Sequence, residues 1–118
     1  MAVKSAAKLP RIYIGELDKV QGGPLFEAIV SLARDRGLNG ATVLRGVESF
    51  GASHRLHSAK ILRWAEDLPM VIEIVDAEER ISSFLDELHP MMEKAGRGGL
   101  LTVESVQAIR YYSDSRES

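Results

Sequence analysis

Arg45, His54, Arg55, His57 and Lys60 fall within sixteen residues, interleaved with Gly46, Phe50, Gly51, Ser53 and Ser58. Guanidinium groups beside glycine backbone amides offer several donors at short range, which is what a phosphate requires. The competing reading is a solvated loop in which Arg45 pairs with Glu48 or Glu73. A second anion-binding candidate is the turn A-G-R-G-G-L at residues 95–100, where Gly96, Gly98 and Gly99 around Arg97 allow close approach of backbone donors. Its G-x-G-G spacing and its place before a strand exclude a dinucleotide fingerprint, which opens a helix. A helix stop explains one of its three glycines.

His54 and His57 stand three apart, a spacing that would present both to a metal on a helix, with Glu48 or Glu66 needed as a further ligand. A metal-binding or enzymatic trimer using these two histidines is therefore the alternative to an anion site. The two differ in pH response. Imidazoles that donate to a phosphate bind it more strongly as pH falls from 8 to 6, whereas metal ligation requires them neutral. The absence of cysteine removes thiol catalysis, thiolate zinc sites and disulfides. G-V-E-S-F-G has the wrong spacing for a serine-hydrolase elbow.

The elements that must position these groups follow from hydrophobic period. Residues 1–8 read as a flexible leader. Residues 9–17 alternate as a strand, with Ile12 and Ile14 on one face and Arg11 and Tyr13 on the other. After a turn at 18–23, Pro24 suits a first helical position, Leu25, Phe26, Ile29, Val30 and Ala33 form one helical face, and Gly37 supplies the stop. A second strand spans 41 to about 50 and a third 70–75. Asp76 with Glu79 has the pattern of a capping box for a second helix lined by Ile81, Phe84, Leu85, Leu88 and Met92, which should kink or restart at Pro90. The last strand is 101–112, and 113–118 read as a flexible tail.

The order βαββαβ predicts an α+β, ferredoxin-like two-layer sandwich: a four-stranded antiparallel sheet with two helices on one face. The strands are apolar on both faces, Val71 and Val75 opposing Ile72 and Ile74, so a further copy of the chain is expected to cover the second face. The same order occurs in the RNA-recognition motif, and I-Y-I-G-E-L at 12–17 is similar to its first RNA-contacting strand. Its partner segment R-G-V-E-S-F places Val47 and Ser49 where stacking rings belong, which leaves an RNA-binding module as a minor alternative.

The chain has 118 residues, 45% hydrophobic and 27% charged, which suits one globular domain over 9–112. A net charge of −2 supplies no general attraction to nucleic acid or anionic lipid. No segment has the length of a signal peptide core or a membrane span, so a cytoplasmic protein is expected.

G-A-T-V-L-R-G at 40–46 followed by F-G at 50–51, E-D-L-P-M-V-I-E-I-V-D at 66–76 and G-L-L-T-V-E-S-V at 99–106 resemble the family called domain of unknown function 190 over residues 10–112. That family is related to the PII signalling proteins and is similar to CutA in architecture. The resemblance implies a PII-like homotrimer, with no obligatory cofactor, that binds an adenine nucleotide (AMP, ADP or ATP) between subunits. It also implies a non-enzymatic signalling role toward a protein partner such as a membrane transporter. The implied ligand residues are Arg45, Gly46, Phe50, Gly51, Ser53, His54 and Arg55 from the loop base, with Gly96, Arg97, Gly98 and Gly99 from the turn; the cationic-loop reading adds His57. Ser49 stands where the family more often has glycine, and the short loop has no tyrosine for PII-type uridylylation.

Overall fold

Ile12, Ile14, Ile72 and Ile74 lie at alternate positions and are all buried, so two neighbouring strands turn the same face inward. Leu25, Ile29 and Ala33 on one helix and Ile81, Phe84 and Leu88 on another recur at spacings of three and four and close over that face as one core. These relationships come from a computed structural model, which describes residues 1–46, 48–50, 56–58 and 68–113. In chain order the elements are β1 (Ala2–Gly15), β2 (Lys19–Val20), β3 (Gly23–Pro24), α1 (Leu25–Asp35), β4 (Thr42–Arg45), β5 (Glu48–Phe50), β6 (Leu56–Ser58), β7 (Pro69–Glu73), α2 (Glu78–Ala95) and β8 (Leu100–Tyr111). The main sheet has the order β4-β7-β1-β8, with every neighbouring pair antiparallel. This is the expected ferredoxin-like arrangement. The pairs β2-β3 and β5-β6 form separate two-stranded ribbons.

The face away from the helices carries Tyr13, Leu44, Val75 and Leu100, all exposed in the single chain. Among them a charged triplet crosses the strands: Arg11 Nε donates to Glu73 Oε2 at 2.8 Å, and its Nη1 donates to Glu104. The bond to Glu73, then that to Glu104, raises Arg11 above the usual guanidinium range.

Four sequence expectations are corrected. Residues 2–8 are not a flexible leader: they form the first half of β1, paired residue by residue with 105–111 of β8, from Ala7↔Val106 out to Ala2↔Tyr111. At about 3.4 Å per residue this long strand accounts for most of the chain's 48 Å longest dimension. The second strand does not run to residue 50. It stops at Arg45, and Glu48–Phe50 belongs to the ribbon with Leu56–Ser58. Ala77, not Asp76, is the N-cap of α2. Asp76 is buried one residue earlier, where its carboxylate accepts from the Ala77 and Asn39 amides at 2.7 and 3.0 Å and lies 3.2 Å from Arg80 Nε. Its backbone also exchanges hydrogen bonds with Lys8, so it joins β1 to the start of α2. Finally, α2 does not restart at Pro90 but continues through it as one element. The proline removes a single donor, and its would-be acceptor belongs to Asp86, on the exposed side.

The helices are also linked by Arg36, which follows α1, donating through Nε and Nη2 to Glu87 of α2. The Arg36 hydrogen bond holds the Glu87 carboxyl below its ordinary range. A carboxyl lowered in the folded state stabilises above its unfolded value and loses that contribution as pH falls through the folded value. Glu87→Gln is therefore expected to lower Tm at pH 7, and the difference from the parent should shrink as carboxylates protonate below about pH 4. Thermal melts at both pH values test this; an equal difference at both would remove the charge pair as its cause.

Candidate functional site

The antiparallel register brings four strand ends to one level. Gly15 pairs with Pro69, Arg45 with Met70 and Tyr13 with Leu100. The end of β4, the turn after β1, the start of β7 and the glycine turn before β8 therefore share one end of the sheet. Within a chain, β4 and β8 are opposite edges, three strand spacings or roughly 14 Å apart.

At the β4 edge, the Gly46 amide donates to Pro69 O at 2.7 Å, and a methyl group on Gly46 would stand 2.7 Å from Pro69 Cγ. A glycine is needed there for the chain to pass. Arg45 forms an ion pair with Glu16, and the Glu16 amide donates to Leu68 O at 2.7 Å. Among the described side chains the Arg45 partner is thus Glu16 and not Glu73, which is engaged by Arg11 on the open face of the sheet.

At the β8 edge, Gly96 closes α2 in the left-handed conformation at φ +65°, and Gly98 has φ +75°. A Cβ on Gly99 would meet Tyr13 O at 3.0 Å and Met92 Cε at 2.9 Å. Gly96 and Gly98 thus suit their left-handed backbone, and Gly99 suits the close approach of the Tyr13 carbonyl. Arg97 extends from this turn with Nε 3.7 Å from Asp18 Oδ1. Asp18 is buried and serves the turn as well, Oδ2 accepting from the Gly15 amide at 2.9 Å and its carbonyl from Leu25 N at 2.8 Å.

Of the sequence-predicted residues, Arg45, Gly46, Gly96, Arg97, Gly98 and Gly99 lie at this end of the sheet. Gly51, Ser53, His54 and Arg55 lie outside the described residues. The backbones of Phe50 and His57 belong to the β5-β6 ribbon, where Phe50 pairs with Leu56 and His57 with Ser49. His57 is in a strand, so the helical spacing considered for a metal pair with His54 does not apply. Among the described residues no group of three or more His, Asp or Glu is placed to hold a metal. The RNA-type reading loses its second strand, because Glu48–Phe50 is outside the four-stranded sheet.

Glu16 and Asp18 were not anticipated as site residues. The signal was present: two carboxylates directly after a strand whose end, in a βαββαβ chain, meets the ends that carry Arg45 and Arg97. Chemically, the arrangement is two guanidinium groups on opposite edges, each beside a glycine and each paired with a carboxylate.

The chain is 36% identical over 102 residues to a UPF0166 protein of Aquifex aeolicus, covering 86% of this chain and 92% of that one. It is 33% identical over 90 residues to a UPF0166 protein of Methanocaldococcus jannaschii, covering 76% and 82%. Among solved structures it is similar to CPII of Thiomonas intermedia K12, a nitrogen regulatory PII-like protein bound to ADP, AMP and bicarbonate, with TM-score 0.68, 20% identity and 90% and 91% of the two chains covered. The apo form of CPII gives 0.65 and 17%, with 94% and 100% covered. These likenesses establish a PII-like fold. The profile of the family DUF190, described as Uncharacterized ACR, matches residues 7–108, and with these relatives it makes the chain a member of the DUF190 family.

Proposed function

We propose that this chain is a non-enzymatic, cytoplasmic PII-like sensor that forms a homotrimer, binds an adenine nucleotide between subunits and passes that state to a protein partner such as a membrane transporter. The observation that carries this reading is the placement of Arg45–Gly46 and the Gly96–Gly99 turn at one end of the sheet but on opposite edges. Separated within one chain, they meet when subunits close head to tail in a ring. The uncovered sheet face, with Tyr13, Leu44, Val75 and Leu100 exposed, supports assembly. CPII, which shares the fold, is described with ADP and AMP bound. No helix among the described residues is long and apolar enough to cross a membrane.

Light scattering over a concentration series should give three times the chain mass of 13.0 kDa. A persistent monomer would remove the intersubunit cleft. AMP, ADP and ATP, screened by thermal shift beside zinc and magnesium salts, should include at least one stabilising nucleotide, worth about 2.7 kcal/mol at a hundred times its Kd. Stabilisation by metal alone would count against the nucleotide reading.

A further inference from the structure

We infer that Glu16 is a specificity-determining residue of the anion site: it occupies Arg45 when no ligand is bound and admits only ligands whose phosphate outcompetes a carboxylate. This rests on the nucleotide reading above and adds to it the charge that the ligand must carry.

Glu16 and Arg45 reach each other from strands that are not neighbours, and both are tethered to one dipeptide. Glu16 N donates to Leu68 O, and Gly46 N donates to Pro69 O, each at 2.7 Å. The backbones at Glu16 and just after Arg45 are therefore fixed to adjacent residues, which places the two side chains within reach of each other. Glu16 is the less accessible partner, at 22% side-chain exposure against 58% for Arg45. The guanidinium thus faces solvent while the carboxylate sits beneath it. An anion arriving at Arg45 meets a cation already neutralised, with a negative group behind it. A monoanionic carboxylate exchanges one like partner for another and adds repulsion from Glu16. A phosphate dianion brings more charge and can span the guanidinium fork with two oxygens, so it alone gains from the exchange.

Asp18 is not equivalent to Glu16. It is buried, accepts from the Gly15 amide and supports the start of α1 through its carbonyl. Its pairing with Arg97 is part of the turn that holds the site, which leaves Glu16 as the carboxylate free to yield to a ligand.

The test is calorimetry of AMP, inorganic pyrophosphate, adenosine and acetate against the full chain, Glu16→Gln, Glu16→Ala and Arg45→Ala, alone and combined with Glu16→Gln. Circular dichroism confirms folding, and the alanine variant repeats the test if the glutamine variant does not fold. Removing the resident carboxylate should tighten AMP and pyrophosphate about fivefold, the upper range for an exposed pair. Adenosine should be unaffected. Acetate should gain relative to AMP, and the gain should vanish in the Arg45→Ala background, which a merely structural role for Glu16 does not predict. If the parent binds AMP and loss of Glu16 leaves AMP affinity unchanged or weaker, the role of Glu16 is overturned while the nucleotide reading stands. If the parent does not bind AMP but pyrophosphate tightens on loss of Glu16, Glu16 keeps its role and the nucleotide reading falls. No binding of either ligand to any variant overturns both.

Discussion

Arg45→Ala is expected to weaken AMP binding by about 1.5 to 3 kcal/mol, the range for hydrogen bonds to charged groups, or roughly tenfold to over a hundredfold. The upper half of that range follows from what the substitution leaves behind. Without the guanidinium, the Glu16 carboxylate remains tethered through its amide to Leu68 O and would face the phosphate unopposed. Arg45→Lys keeps the charge but loses the planar fork, so its affinity should fall between the two. Calorimetry at fixed ionic strength is the measurement, because partly exposed charge pairs are screened by salt. Unchanged affinity in Arg45→Ala would mean that this arginine serves only its ion pair with Glu16, and the anion site would have to be sought elsewhere.

Phe84→Ala should cost about 3 to 5 kcal/mol of folding stability, a large share of the 5–15 kcal/mol typical of a domain. Phe84 is 0% exposed and lies on the buried stripe of α2 between Ile81 and Leu88, in the core shared with Ile12 and Ile72. Truncation would leave a cavity where helix meets sheet, in an interior without slack. Phe84→Leu, which keeps most of the volume, should lose much less. Denaturant midpoints compared at equal protein concentration would show this, since assembly adds concentration-dependent stability. A loss below about 1 kcal/mol would mean that the site collapses around the smaller side chain.

The helix stripes and the inward isoleucines were legible because each is a local period: spacings of three and four in Ile81, Phe84 and Leu88, alternation in Ile12 and Ile14. A chain patterned in that way, with turn signals between the elements, admits few topologies, and the ferredoxin-like one is the simplest. The glycine at the end of α2 was equally local, since a left-handed residue there follows from how helices end. The outlines of the domain and the two loops flanking the site could be read from such signals.

The N-terminal half of β1 could not. Residues 2–8 are mostly alanine, serine and lysine, with Val3 exposed and Ala7 alone buried, and they become a strand through pairing with residues 105–111, about a hundred positions away. The one indirect sign was that the final strand is longer than the sheet body requires. The break after Arg45 escaped for a different reason: the pairing ends where the partner strand β7 itself begins, at Pro69, a boundary that the residues following Arg45 do not carry. The partners of the two arginines belong to this second kind of information. Charge type and spacing identified Arg45 and Arg97 as anion-binding candidates. Which carboxylate answers each depends on where separate strand ends arrive, and antiparallel register brings Glu16 and Asp18 there from 29 and 79 positions away in the chain.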